Sequence, residues 1–421
     1  MTATHSARMQ EKTPIESFDV VVIGAGPAGS VSSALLRQNG YKVLVLEKEY
    51  FPRFSIGESL LPQCMEYLEQ ANMLDAVKKG TFQYKNGAAF SRGDEYEYFD
   101  FREKFSPGWG TTFQVQRDCF DKILADESQK QGVQIRFGHA LVACEEIPNA
   151  RLLTALDEDN QQYQVSAKFV LDASGFGRVL PKMLKLEKDS SLAPRKSIFT
   201  HIEDNIVCPQ YDRDKILITV HPKLPEVWYW LIPFSNGRCS LGVVAPTEVI
   251  DEIGTEPLAC LQQLVSEGGR LANILEHAVY DTQVRSLGSY SCDVTSLYGK
   301  RYALLGNAGE FLDPIFSSGV TIAMTSASLA AAAVHKELSG QSPDWESEYA
   351  DALKVGVKTF KEFVEGWYDQ RFQQVVFSKQ KSEGITKMIS SILAGYAWDK
   401  ENPYVKTPSR LSTLSEICKS A

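Results

Sequence analysis

The chain has 421 residues, 43% hydrophobic and 10% aromatic, enough to bury a large core and to form two or three interleaved units. A formal net charge of −9 and a pI near 5.4 leave no basic block to meet a phosphate backbone, which excludes nucleic acid as the main partner. Eight scattered cysteines show no CxxC or metal-ligand spacing and the six histidines no HxH or HExxH pair, so buried free thiols in a reducing compartment and no metal are expected.

The first seventeen residues carry no apolar leader and no apolar run is long enough for a bilayer, so a cytoplasmic chain without a transmembrane segment is expected. Residues 19–23, DVVVI, form a β-branched strand that enters Gly24-Ala-Gly26-Pro27-Ala28-Gly29, followed by a helix to about residue 39 and a strand over 41–46 closed by Glu47 and Lys48. Gly24 permits the tight turn, Gly26 the approach of a pyrophosphate, and Gly29 close packing of helix on strand. The helix N-terminus favours the phosphates, and Glu47 stands where an acid accepts from a ribose diol. This context makes dinucleotide binding the reading.

Residues 51–62, FPRFSIGESLLP, are a loop carrying Arg53 and Ser59, with Pro62 opening a helix over 63–78. Residues 81–91 alternate as one strand, with Phe82, Tyr84, Ala88 and Phe90 on one face and Gln83, Lys85, Gly87 and Ala89 on the other. That puts Lys85 among small neighbours; on pattern alone such a lysine is an ordinary solvated group. The aromatic row over 94–113 is either sheet core or the wall of an aromatic pocket. A helix follows from Gln116 and Arg117 to Gly132 with Asp118 as N-cap, then strands over 133–137, 141–145 and 161–171 ending in Asp172-Ala-Ser-Gly175.

Residues 197–244 read as a mostly antiparallel sheet centred on 227–234, where Trp228, Trp230 and Ile232 share a face that is core or cavity wall. A buried strand over 302–305 leads into Gly306-Asn307, then Asp313-Pro314 and Ser317-Ser318-Gly319-Val320, a second anion-friendly turn before a small-residue helix over 321–338. The tail is helical over 345–374 and 386–394.

The glycine turn with Glu47, the strand end at Asp172 and the Gly306-Asn307…Asp313-Pro314 segment together resemble the flavoprotein family of aromatic hydroxylases and geranylgeranyl reductases. The resemblance implies an α/β fold: a Rossmann-like, three-layer FAD-binding domain (17–80, 115–180 and 285–340) interleaved with a mostly antiparallel substrate domain (81–114 and 190–284), plus a helical region over 341–421. It implies FAD held by Gly24, Gly26, Pro27, Ala28, Gly29, Glu47, Lys48, Arg53, Ser59, Arg117, Asp172, Gly306, Asn307, Asp313, Pro314, Gly319 and Val320. The family usually has Asp where Asn307 stands; an amide still bonds a ribityl hydroxyl.

Within that family the chain is similar to flavin-dependent halogenases. Trp228-Tyr-Trp230-Leu-Ile232-Pro233 fits their WxWxIP motif, residues 51–59 their flavin-side loop, and Lys85 falls at their catalytic lysine. The likeness implies FADH2 from a separate flavin reductase, O2, and chloride or bromide held by backbone N–H groups around Ser318 and Gly319. Hypohalous acid then passes through Lys85, by hydrogen bond or haloamine, to an electron-rich ring, while Trp228, Trp230, Ile232 and Pro233 keep substrate off the flavin. Tryptophan-acting members carry a glutamate before the Ser/Thr-Gly of the halide loop; Phe316-Ser317-Ser318-Gly319 has none. That looks like the short pyrrole or phenol group, its substrate free or tethered to an acyl or peptidyl carrier protein. A flavin monooxygenase, a prenyl-reductase-like oxidoreductase and an inactive flavin-binding module are the alternatives.

Overall fold

In the computed structural model, which describes residues 15–190, 193–288 and 292–419, the chain builds two main sheets. Five parallel strands form the centre of the first, in the order Tyr302–Leu304, Gln162–Asp172, Glu16–Ile23, Val43–Glu47 and Gln134–Phe137. Val20, Val21, Val22, Leu44 and Val45 are fully buried, as parallel strands covered on both faces require. Ile23 pairs with both Leu46 and Asp172, and Asp172 with Leu304, so four carboxyl ends align and their following loops converge on one edge. The glycine turn sits there, where open α/β sheets bind ligands. The first half of Gln162–Asp172 also pairs with Ala150–Leu156, a strand that sequence reasoning missed.

Helices Pro27–Gln38, Arg117–Lys130 and Gly319–Leu338 pack together, the first and last through Ser, Ala and Gly faces that permit close approach. The last begins two residues before its predicted start.

The second sheet runs Arg285–Gly288, Arg195–Glu203, Arg238–Pro246, Trp228–Pro233, Lys215–Val220, Gly87–Arg92 and Glu95–Asp100. Only Lys215–Val220 with Gly87–Arg92 is parallel. Arg285–Gly288 was assigned to the FAD-binding segment; it pairs with Lys196–Phe199 and so lies in this sheet.

Three local expectations are corrected. The helix over 63–78 is two, Cys64–Gln70 and Leu74–Lys79, because Asn72 turns left-handed at φ 55°. Residues 81–91 are not one strand. Gln83–Lys85 pairs with Thr112–Gln114 in a separate ribbon, and the chain switches sheets at Asn86, whose N–H bonds Asp214 O at 2.8 Å while its carbonyl accepts from Phe101 N at 2.7 Å. Gln116, not Asp118, is the N-cap of the helix that follows. Among the described cysteines all are free, but only Cys64, Cys239 and Cys260 are buried, and Cys119 is exposed.

Helix Asp351–Tyr368 turns Leu353, Val357, Phe360, Val364 and Trp367 inward at the spacing of one helical face. Phe316 lies edge-on to Phe363, Trp367 and Phe372, with centroids 6.4, 6.1 and 5.3 Å away, so the tail pins the loop before Ser317. No helix among the described residues is long and apolar enough to cross a membrane.

Candidate active site

A cavity of about 510 Å³ runs from the glycine turn to the paired indoles. At its first end three glycines do three jobs. A Cβ on Gly24, whose φ is +94°, would lie 2.7 Å from Ala173 O, and one on Gly29 would collide with Gly24 O. A Cβ on Gly26 meets only the Arg53 guanidinium at 3.4 Å and Asp121 at 4.0 Å, so this backbone borders the open cradle. Gly26 caps helix Pro27–Gln38 with Pro27 in its first turn and no side-chain cap, the arrangement that receives a phosphate.

Glu47 is held in place by its backbone neighbours. One carboxylate oxygen accepts from Ala25 N at 2.8 Å and the other from Glu49 N at 2.9 Å. Arg53 lies 3.7 Å from Glu47 and 3.3 Å from Asp121, and Arg117 makes a bidentate pair with Asp121 at 2.7 and 2.9 Å. Two guanidinium groups beside two fixed carboxylates make a polar throat that suits a dinucleotide diphosphate and its sugar.

Gly24, Gly26, Pro27, Ala28, Glu47, Lys48, Arg53, Ser59, Arg117, Gly306, Asn307, Pro314, Gly319 and Val320 all line this cavity. So do Trp228, Trp230 and Ile232, while Gly29, Lys85, Asp172, Pro233, Asp313 and Ser318 do not. Asp172 is fully buried and organises a loop, accepting from Ser174 N at 2.9 Å and Leu180 N at 2.6 Å. Asp313 accepts from Ile315 N at 3.2 Å and from the Tyr368 hydroxyl at 2.8 Å; burial pushes its carboxyl up to about 6.

The indoles of Trp228 and Trp230 stand 6.0 Å apart and wall the second end. Trp228 Nε1 donates to Tyr368 Oη at 2.9 Å and Trp230 Nε1 to Ser240 Oγ at 3.1 Å. The Trp230 ring lies flat against Gly242, with no room for a Cβ there. The aromatic row over 94–113 is neither wholly core nor the wall of this cavity: Phe99 and Phe101 are buried, Tyr98 and Phe105 are exposed, and none of the row lines the cavity.

Lys85 is not where alternation put it. It is fully buried one layer behind the wall, donating to Ser59 Oγ at 2.7 Å and Leu60 O at 2.8 Å, with Nζ 5.4 Å from the Phe101 ring centre. With no carboxylate among the described residues in ion-pair contact, burial lowers its pKa to about 7. Residues missed from the sequence include Phe176 and Phe311, whose rings meet at 5.5 Å, Ser197, and Glu58, which is 2.7 Å from His201 Nε2. Glu58 lay in the quoted loop and Phe311 between Asn307 and Asp313; Phe176 and Ser197 gave no local signal.

A family model described as FAD binding domain matches residues 17–345. The chain belongs to this family. The flavoprotein is a flavin-dependent oxidoreductase and is similar to a tryptophan 2-halogenase of Chondromyces crocatus (30% identical over 340 residues, 77% of this chain). It spans only 62% of that relative's length. It is 26% identical over 375 residues to the 1H-pyrrole-2-carbonyl-[peptidyl-carrier protein] chlorinase of Pseudomonas fluorescens, covering 83% of each chain. Among solved structures, a flavoprotein/dehydrogenase from Cytophaga hutchinsonii superposes with a TM-score of 0.93 at 42% identity, over 96% of this chain and 99% of that one. The flavin-dependent brominase Bmp2, at TM-score 0.82 and 23% identity over 96% and 100% of the chains, shares the fold.

Proposed function

We propose that this flavoprotein is a halogenase: with reduced FAD, O2 and chloride or bromide it forms hypohalous acid, which reaches an electron-rich aromatic ring through Lys85. The observation that carries the reading is the burial of Lys85. A lysine with a pKa near 7, one serine away from an indole-walled flavin cavity, is half unprotonated at neutral pH and can take halogen as an amine.

When bound as FADH2, the cofactor would supply the two electrons that, with O2, a halide ion and a proton, give hypohalous acid and water. The chain's part is to bind, orient and exclude. Gly24–Gly29 with Glu47, Lys48, Arg53 and Arg117 hold the adenosine and diphosphate end; Gly306, Asn307, Pro314 and Val320 flank the other. The first turn of helix Gly319–Leu338, capped by Ser318 without a side-chain bond, offers its N–H groups to the halide. Gly319 has open space where a Cβ would point. Trp228, Trp230 and Ile232 separate substrate from flavin, with Pro233 ending their strand and Asp172 and Asp313 shaping the adjoining loops. At the ring, a C–X bond forms, a proton leaves and water is the second product.

A phenol or pyrrole, free or tethered to a carrier protein, is the proposed substrate class, supported by the missing acid at Ser317 and by the carrier-dependent relative. A separate cytoplasmic reductase is the proposed source of FADH2. The dehydrogenase name of the 42% identical structure favours one second reading, flavin-coupled oxidation without halide. Mass spectrometry of aromatic acceptors incubated with the protein, FADH2, O2 and bromide tests both. Brominated product supports the halogenase; oxidised, bromine-free product overturns it.

A further inference from the structure

A transfer function requires some contact between the cavity, where the oxidant forms, and Lys85, which does not line it. Ser59 alone among the described residues both lines the cavity and hydrogen-bonds the Lys85 ammonium. Its hydroxyl donates onward to Gln114 Oε1 at 3.1 Å, and its backbone bridges to Gln114 as well, so the pair is held from both sides.

Two loose ends sit beside this contact. Among the described residues, fully buried Gln114 has no hydrogen-bond partner for its Nε2, and Thr112, opposite Lys85 in the ribbon and 2% exposed, has none for its Oγ1. Gln114 and Thr112 are two apart on one strand and share its face, as do Gln83 and Lys85 opposite. A buried polar atom without a partner calls for an explanation, and two of them beside the one hydroxyl that joins the cavity to Lys85 suit a small ligand or water. An amide donor, a hydroxyl that donates or accepts, and an amine suit a small neutral molecule with an O–H.

Resting on the halogenase reading, we propose that Ser59, Gln114 and Thr112 form a polar transfer compartment that holds hypohalous acid between the cavity and Lys85. Ser59 is the gate, bonded to Lys85 until the oxidant replaces that bond. Gln114 Nε2 donates to the oxidant's oxygen, and Thr112 Oγ1 accepts its proton in a hydrogen bond. No covalent bond changes during holding. Gln114 is thus a positioning residue, and the oxidant escapes when its amide is lost.

The test uses Gln114→Leu, which keeps bulk and removes the donor, with Ser59→Ala beside it. Each enzyme receives FADH2, O2 and bromide together with resorcinol and the scavenger monochlorodimedone, which captures escaped oxidant. Bromine in resorcinol against bromine in scavenger should fall about tenfold in Gln114→Leu. Gln114→Glu, which retains an acceptor but not the donor, should fall equally. An unchanged ratio in the Leu variant overturns the proposal, whereas a wild-type protein that brominates neither probe overturns the halogenase reading itself. Independently of turnover, a crystal structure of the flavin-free protein should hold an ordered water on Gln114 Nε2 and Thr112 Oγ1. An empty, closed space there counts against the compartment.

Discussion

The two ends of the cavity are built from different materials. At the glycine turn the cradle is made chiefly by backbone and by missing side chains within residues 24–47, with Arg53, Arg117 and Asp121 at its rim. At the indole end it is made by side chains from separate segments, Ser59 and Trp228 with Trp230, backed by Lys85, Gln114 and the Asp313–Tyr368 pair, which do not reach the cavity. A backbone cradle tolerates no added atom but needs few partners. A side-chain wall tolerates substitution yet depends on distant elements being docked. Binding is therefore encoded locally, and chemistry is encoded by the fold.

The sharpest break in that contrast is Lys85→Met. Product formation should fall on the order of a thousandfold while FAD affinity holds, since the side chain does not touch the cavity. The same change should stabilise the fold. The folded pKa of about 7 lies below the unfolded value of roughly 10.4, so the unfolded chain binds more protons between them. The buried ammonium's cost is complete below pH 7 and vanishes above 10. Urea unfolding should show the variant more stable by roughly 1–4 kcal/mol at pH 6, with the difference shrinking toward pH 10. For wild type, transfer through a neutral amine predicts product rates that rise through pH 7; a fall would assign Lys85 the donor role instead.

Gly26→Val acts on the other end. Its side chain would fill the cradle beside Arg53 without striking backbone, so the protein should fold yet lose FAD affinity by about a hundredfold in a flavin-fluorescence titration. Gly29→Ala, by contrast, drives a Cβ into Gly24 O and should lower expression and melting temperature. Between these lies Gly242→Ala, which pushes the Trp230 indole off its floor and into the cavity. FAD affinity should drop by roughly tenfold and ADP affinity not at all, because ADP occupies only the glycine end. Equal losses for both ligands would erase the distinction between the ends.

The same division decides what could be read from the sequence. The strand, glycine turn and Glu47 were legible because each obeys a constraint met within a few residues, and the structure places them as expected. Trp228, Trp230 and Ile232 were legible as a face by strict alternation, though whether that face was core or wall was not. Lys85 stood out only through resemblance. Its alternation was misread because Asn86 moves the chain from one sheet to another, an event set by Asp214 and Phe101, far off in sequence. The sheet change at Arg285 was hidden for the same reason, its partner strand being Arg195–Glu203; the break at Asn72 is local, a left-handed residue whose N–H bonds Glu69 O. Gln114 and Thr112 gave no signal at all, since an orphaned donor exists only once its surroundings are built.

The smallest predicted effect concerns how the wall is tied to the loop over Asp313–Ser318, the proposed halide site. Tyr368, on a C-terminal helix, accepts from Trp228 Nε1 at 2.9 Å and donates to Asp313 at 2.8 Å, under an Arg195 guanidinium 3.4 Å from its ring centre. Burial raises the Asp313 pKa, while the Tyr368 hydrogen bond and the Arg195 charge hold it down to about 6. Tyr368→Phe removes one of those restraints, so the carboxyl should keep its proton to higher pH. Because the folded pKa exceeds the unfolded one, the folded chain binds more protons in that window, and stability falls as pH rises through it. The variant should lose about 1–2 kcal/mol at pH 8, where an ionised Asp313 misses its donor, and less at pH 5, where the carboxyl is protonated in both proteins. Equal losses at the two pH values would mean that Tyr368 serves only as packing. A pH-dependent loss would mean that the C-terminal helix sets the charge of the loop proposed to hold the halide.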